Sequence, residues 1–240
     1  MVNANKKHIE QFISNIITAE TLKETIKFRD LFLDHYKHIE MKTRLGEGDY
    51  GIAYLLKDGR VLKITTDKTE IDAASIIVGE SVSNVAEIYD IKITKKKYYT
   101  TSAVVKVHIG FIIQEYIPYS IEDYIGKILT DLTRQIKRRY GLRENTSRSV
   151  LKKASKKLAE YMLDGYEPDF EVTEDEQKDI TNSLLQVANG IIQLYKHGIY
   201  YVDAHINNVR LTKNDEYKII DLGYGSAIRK KDNITKINKP

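Results

Sequence analysis

Residues 44–65 read RLGEGDYGIAYLLKDGRVLKIT, and what flanks the glycines decides the fold. Gly46-Glu47-Gly48-Asp49-Tyr50-Gly51 is a GxGxxG pattern, which three unrelated phosphate-binding loops share. A dinucleotide-binding loop needs a helix to start inside it. Here Ile52-Ala53-Tyr54-Leu55-Leu56 follows, then Asp58-Gly59, which reads as a strand entering a hairpin turn. A Walker loop must end in Gly-Lys-Ser/Thr, and this one does not. What remains is a glycine-rich hairpin whose backbone amides face phosphate, where glycine lets the chain come close. An ordinary Gly-rich β-hairpin has the same local pattern, so the loop alone leaves both readings open.

Outward from the loop, the chain changes texture twice. Ile9, Phe12, Ile13, Ile16 and Ile17 predict an amphipathic helix over 8–19, and Thr21 with Glu24 forms a capping-box pattern opening a second one. From Ile39 to about Gln114 short β-branched runs dominate: 52–56 and 61–65 around the turn, then 85–93, 103–107 and 111–114. Between them, 69–78 reads as a short helix closed by Gly79. Beyond Pro118 the pattern is mainly helical. Residues 174–196 place Ile180, Leu184, Val187, Ile191 and Leu194 on one buried stripe, and strand-like pieces return at 209–212 and 217–220. The fold class is therefore α+β, a β-rich part followed by a helical part.

Composition sets the bounds. The chain has 240 residues, net charge +4 and no cysteine. That size holds one large domain or two small lobes. The small net charge argues against nucleic acid. The missing cysteines exclude disulfides, thiolate metal sites and cysteine nucleophiles, and fit a reducing cytoplasm. The N-terminus lacks a signal-peptide core, and no run approaches the roughly 18 apolar residues of a membrane span.

Lys63 lies within Val61-Leu62-Lys63-Ile64, where a charge is costly unless it meets a partner or solvent. Glu70 on the following helix is the nearest carboxylate, with Glu80 as the alternative. Tyr201-Val202-Asp203-Ala204-His205-Ile206-Asn207-Asn208 follows the long helix, and Asp203 and Asn208 sit in a polar loop between apolar segments. Asp221 leaves the next strand into a turn at Gly223. Two aspartates and an asparagine supply hard oxygen ligands and a base, a set suited to Mg²⁺ on ATP phosphates. Taken singly, such residues stabilise turns.

In combination these stretches resemble the protein-kinase-like superfamily over about 39–224. Leu45-Gly46-Glu47-Gly48-Asp49-Tyr50-Gly51-Ile52-Ala53 is similar to its glycine-rich loop, with Ala53 where valine is usual, and Val61-Leu62-Lys63 is similar to its strand lysine motif. Ile112-Ile113-Gln114-Glu115-Tyr116-Ile117 resembles the hinge. Asp203 to Asn208 has the spacing of the catalytic loop, and Asp221-Leu222-Gly223 stands in for D-F-G. The resemblance implies a bilobal protein-kinase-like fold: an N-terminal helical extension (1–38), a β-rich N-lobe with hinge (39–117) and a reduced helical C-lobe (118–240). It implies ATP and Mg²⁺ as cofactors. Leu45, Gly46, Glu47, Gly48, Asp49, Gly51, Ala53, Val61, Lys63, Glu70, Gln114, Glu115 and Ile117 would bind ATP. Asn208 and Asp221 would hold the metal, and Asp203, Lys63 and Asn208 would be catalytic.

The departures matter too. Val202 stands where the family has the arginine that answers activation-loop phosphate, so that form of control is not expected. Asp203-Ala204-His205 looks more like the D-x-H of aminoglycoside and choline kinase relatives. Only 17 residues follow Gly223, without an A-P-E motif, so the acceptor is expected to bind elsewhere or a partner to complete the lobe. The expected reaction is transfer to Ser/Thr of a protein. A small-molecule kinase and a nucleotide-binding pseudokinase are the alternatives. Residues 127–157 hold eleven Lys/Arg against two acids, and 160–179 nine acids against one lysine. These read as solvated helical faces that attract their neighbours, or the basic stretch as a docking surface for an acidic partner or nucleic acid. Tyr98-Tyr99 and Tyr200-Tyr201 read as packing rather than phosphosites, and His197 as a helix cap.

Overall fold

A computed structural model describes residues 40–48, 50–99, 104–143, 145–223 and 227–228, with backbone alone at 96–99, 104–107 and 227. The two expected N-terminal helices, Asp49 and Tyr224 lie outside the described residues. The architecture is mixed α+β, in two compact units. One takes residues up to Glu80 together with Glu87–Tyr116, the other Ser81–Ala86 and residues from Ile117 onward.

The first unit is a five-stranded antiparallel sheet with one helix. Its strands are β1 (Met41–Gly48), β2 (Gly51–Leu56), β3 (Val61–Thr65), β4 (Ile88–Tyr99) and β5 (Val104–Gln114), in the order β1-β2-β3-β5-β4. The β2–β3 turn forms where Asp58-Gly59 predicts it. Gly59 takes φ +87°, Leu56 N donates to Arg60 O (2.8 Å), and Asp58 Oδ1 accepts from Arg60 N (3.0 Å). Only glycine enters that left-handed region without strain. Ile52, Leu56, Leu62, Ile64, Ile109, Phe111 and Ile113 form the core on one face, with Met41 and Tyr54 packed against it. Each such side chain contributes about 1.5–3 kcal/mol on burial.

Helix α1 (Lys68–Ile77) starts at Asp67, whose carboxylate accepts from Thr69 N (2.7 Å) and Glu70 N (3.4 Å). It buries Glu70, Ile71, Ala73, Ala74 and Ile77, and it ends before Gly79 at φ +75°. Gly110 on β5 makes room for it, because a Cβ there would lie 2.6 Å from Ile71 Cγ1.

The runs expected at 85–93, 103–107 and 111–114 are in fact two long strands. β5 continues unbroken through His108-Ile109-Gly110, and β4 and β5 pair from Ile88↔Gln114 to Tyr99↔Val104. The ladder is made by backbone groups, so lysines along β4 and a glycine in β5 do not interrupt it. Val85 belongs to neither strand; it lies in the second unit, where it forms an isolated parallel bridge to Ile219.

The second unit holds helices α2 (Asp123–Arg139), α3 (Arg148–Leu163) and α4 (Glu174–Lys196). Strands β6 (Tyr119–Ser120), β8 (Val209–Leu211) and β9 (Tyr217–Ile219) form a small sheet, and β10 (Ala227–Ile228) pairs with β7 (Ile199–Tyr200). α4 has the expected bounds, for local reasons. Thr173 and Glu176 form a capping box, and acids fill the first turn with Lys196 in the last, which complements the helix dipole. His197 Nδ1 lies 2.8 Å from Gln193 O and Gly198 takes φ +80°, closing the helix. Tyr200 and Tyr201 are buried, and the Tyr200 ring meets Tyr195 edge-on at 5.1 Å.

Residues 81–86 are fixed to this unit by hydrogen bonds. Asn84, at φ 58°, donates to Tyr217 O (3.0 Å) and Gln186 Oε1 (3.2 Å) and accepts from Asn189 Nδ2 (2.8 Å). Gly190 on α4 permits that approach, since a Cβ there would lie 2.8 Å from Asn84 O. Residues 81–86 thus belong to the second unit, although the chain on either side of them belongs to the first.

Candidate functional site

Each unit carries one group of the predicted site residues. In the first, strand register decides which side chains share a face. Ala53 pairs with Lys63 and Gly51 with Thr65 across β2–β3, while Val61 pairs with Gln114 and Lys63 with Ile112 across β3–β5. Directly paired residues project to the same side of a sheet. Gly51, Ala53, Val61, Lys63 and Gln114 therefore lie together on the face opposite the core. Lys63 is held there by Glu70, Nζ to Oε1 2.5 Å, with side-chain exposures of 16% and 5%. A pair that well shielded is a placed charge rather than a surface contact. Glu70 is thus the partner of Lys63 at this distance.

The glycine loop divides by role. A Cβ on Gly51 would lie 2.5 Å from Ile64 O, so the sheet itself requires that glycine. Gly46 and Gly48 have open space where a Cβ would go and no positive φ. Among the described residues nothing demands glycine at either, whereas a ligand approaching the backbone would. Glu47 pairs with Arg44, and Leu45 is 42% exposed. Glu115 N donates to Glu87 O (2.9 Å), and Glu115 Oε2 accepts from Glu87 N (3.2 Å). No described residue accepts from the amide of Ile117, a buried residue, and a buried amide ordinarily finds a partner.

In the second unit the 201–208 loop is built around Asp203. Lys137 pairs with Oδ1, Asn208 Nδ2 donates to Oδ2 (3.1 Å), and His205 Nε2 lies 3.5 Å from Oδ2. The Asp203 backbone carbonyl accepts from Tyr201 OH (2.9 Å) and Asn208 Nδ2 (3.0 Å). Burial pushes the Asp203 carboxyl up. The hydrogen bonds from His205 and Lys137 and the Lys137 charge outweigh it, so the group titrates below its ordinary value and stands ionised. Burial first, then the Asp203 and Asp221 charges, hold the Tyr201 phenol well above its usual range, so it stays a neutral donor. Val202 is fully buried.

Asn208 and Asp221 are brought together by the β8–β9 hairpin. Val209 faces Ile219, and one step on Ile220 N donates to Asn208 O (2.9 Å). Both amide hydrogens of Asn208 point to Asp203, and no described residue donates to its buried Oδ1. Asp221 Oδ1 accepts from Gly223 N (2.9 Å), which orients the carboxylate. Among the described residues no three His, Asp or Glu side chains gather as a metal site. An Asn carbonyl and a carboxylate nevertheless fit Mg²⁺, which takes few protein ligands and completes its shell with phosphate and water oxygens.

Lys137 is a further candidate site residue, one that the sequence reading placed only within a basic stretch. Gly126, Thr130, Thr133 and Lys137 recur at helical spacing on α2, and small residues let that side approach the loop. A Cβ on Gly126 would lie 2.7 Å from Ile206 Cδ1, and Thr133 Oγ1 donates to Ala204 O (2.5 Å). Lys137, one turn past Thr133, then reaches Asp203. Beside it opens a cavity of about 670 Å³ walled by Arg134, Lys137, Arg138, Arg143, Asp203 and His205, among others.

No protein-family model matches this chain, and no curated protein is similar to it. Among the described residues, no helix is long and apolar enough to cross a membrane.

Proposed function

We propose that this chain is a phosphotransferase of protein-kinase-like fold that uses ATP and Mg²⁺ and transfers the γ-phosphoryl group to a hydroxyl, with Ser/Thr of a protein as acceptor. The observation that carries the reading is the shared face of Gly51, Ala53, Val61, Lys63 and Gln114, with Lys63 fixed by a buried glutamate. On this reading Gly46 and Gly48 allow backbone amides to approach the phosphates, and Lys63 orients the α and β groups. Ala53 and Val61 offer an apolar surface to the base, and Glu115 and Ile117 are the backbone positions that the kinase resemblance assigns to it. Asn208 and Asp221 would hold Mg²⁺, which neutralises charge on the phosphate oxygens. Asp203 accepts a hydrogen bond from the acceptor hydroxyl and takes its proton as the new bond forms. A carboxylate with a lowered pKa is a weak base, which suits a transfer governed by positioning and charge neutralisation.

A second reading has one specific support: His205, close to Asp203, keeps the D-x-H pattern of small-molecule kinases. The absence of cysteine fits action in the cytoplasm.

Nucleotide-dependent stabilisation tests the proposal. Saturating MgATP at about 100 times Kd adds about 2.7 kcal/mol to stability. Wild type should therefore melt at a higher temperature with MgATP, Lys63→Met should lose the shift, and Asp221→Asn should lose its Mg²⁺-dependent part. A wild type indifferent to MgATP would overturn the reading.

A further inference from the structure

The second unit's cavity is lined by Arg134, Lys137, Arg138 and Arg143 and by the proposed base, Asp203. Arg134 and Arg138 lie one turn apart on α2, and Arg143 lies in the loop that follows. All three are exposed. Arg134 meets Asp131 only at 3.5 Å in an exposed contact, and such pairs hold weakly. Among the described residues no acid pairs with the Arg138 or Arg143 guanidinium. Lys137, between them, is turned to Asp203. Among the described residues, Asp203 is the one acid that lines the cavity. Guanidinium groups that line one cavity favour an anion among them, because each can take a carboxylate or phosphate in a bidentate pair.

We infer that this cavity is the acceptor subsite, and that it selects a hydroxyl carried on an acidic peptide segment. The inference rests on the phosphotransferase reading above and names its substrate class. Spacing favours a peptide. Residues four apart on a helix are separated by about 6 Å along its axis, close to the roughly 6.6–6.8 Å between same-side residues of an extended chain. Carboxylates at alternate positions of an extended acceptor would then meet Arg134 and Arg138 in turn, with Arg143 beyond. The acceptor hydroxyl reaches Asp203 at the inner end. In the transfer the acceptor oxygen bonds to the γ-phosphorus, the bond from that phosphorus to the bridging oxygen breaks to release ADP, and the hydroxyl proton passes to Asp203.

The test uses the full chain and three fluorescein-labelled peptides of equal length, each with a central serine flanked by glutamates, alanines or arginines. Label transfer from γ-labelled ATP is measured alongside binding by fluorescence anisotropy without nucleotide. The glutamate peptide should be labelled about tenfold or more faster than the arginine peptide, which is repelled. Its binding should weaken as salt rises and the screening length shortens. Arg138→Glu with Arg143→Glu, checked for folding by circular dichroism, should reverse the ratio of glutamate- to arginine-peptide labelling. The salt series on wild type keeps the test decisive if that variant fails to fold. Equal labelling of the three peptides, or preferred labelling of a sugar phosphate or an oligonucleotide, would overturn the inference while leaving the phosphotransferase reading intact. Arginine-dependent binding of the glutamate peptide with no transfer to any acceptor would overturn that reading, and the acceptor role with it.

Discussion

Lys63 sits on β3 between Leu62 and Ile64, both buried, and Glu70 is the carboxylate that meets it. Removing one member of a shielded pair costs about 3–5 kcal/mol when the remaining charge is sealed from water. Lys63 keeps 16% of its side chain exposed, so its long stem offers the ammonium a partial route to solvent. Glu70→Leu should therefore cost about 2–3 kcal/mol, below that range. Lys63→Met with Glu70→Leu removes both desolvation penalties and should fall within about 1 kcal/mol of wild type. Lys63→Met, which strands a Glu70 carboxylate only 5% exposed, should cost about 3–5 kcal/mol, so the double-mutant cycle gives a coupling energy of at least about 4 kcal/mol. Urea unfolding followed by circular dichroism and tyrosine fluorescence reads it, since the chain has 17 tyrosines and no tryptophan. Transitions of the two units are fitted separately. In phosphoryl transfer Glu70→Leu should lose about 10- to 100-fold in rate, because Lys63 is no longer held in place. Single-variant costs below about 0.5 kcal/mol that simply add would refute the reasoning, as they would mark a solvated pair.

The loop glycines should separate by role. Gly51→Ala should destabilise the first unit by about 1–3 kcal/mol through the clash with Ile64 O. Gly46→Ala and Gly48→Ala should each stay within about 0.5 kcal/mol in urea unfolding yet weaken the MgATP melting shift. The Glu176 carboxyl is held below its ordinary value of 4.5 by hydrogen bonds from Thr173. Its contribution is therefore present above pH 4.5 and lost as pH falls through the lowered value. Glu176→Gln should flatten that part of an acid titration followed by circular dichroism, while Thr173→Ala should cost about 1 kcal/mol at neutral pH. Lys137→Met should lower kcat of transfer by about 10-fold or more, a loss of positioning, and leave the KM for ATP unchanged in a steady-state assay.

Where local chemistry decides structure, the sequence was legible. Asp58-Gly59 placed the β2–β3 hairpin, and the apolar stripe from Ile180 to Leu194 placed α4. Glu70 as the partner of Lys63 followed from strand-to-helix proximity, although Glu80 fitted the same text. Where tertiary register decides, it was not. The β4–β5 ladder runs through lysines and Gly110 because its bonds are backbone bonds, which side-chain alternation does not report. Val85 looked like the start of a strand and instead bridges to Ile219, a partner far along the chain. Lys137 was hidden in a charge run, which reads as solvated. Its phase relative to Gly126, Thr130 and Thr133 was the available signal, and only the packing of α2 on the Asp203 loop gives that phase its meaning.

Transfer of label from γ-labelled ATP with Mg²⁺ by purified wild type and Asp203→Ala, side by side, tests the proposed phosphotransferase activity most directly. Acceptors come from a desalted lysate supplemented with its small-molecule fraction, and label is counted separately in protein and small molecules. The expected result is label in protein with wild type and none with Asp203→Ala, while both proteins keep their MgATP melting shift. Transfer retained by Asp203→Ala, or absent from wild type, would contradict it.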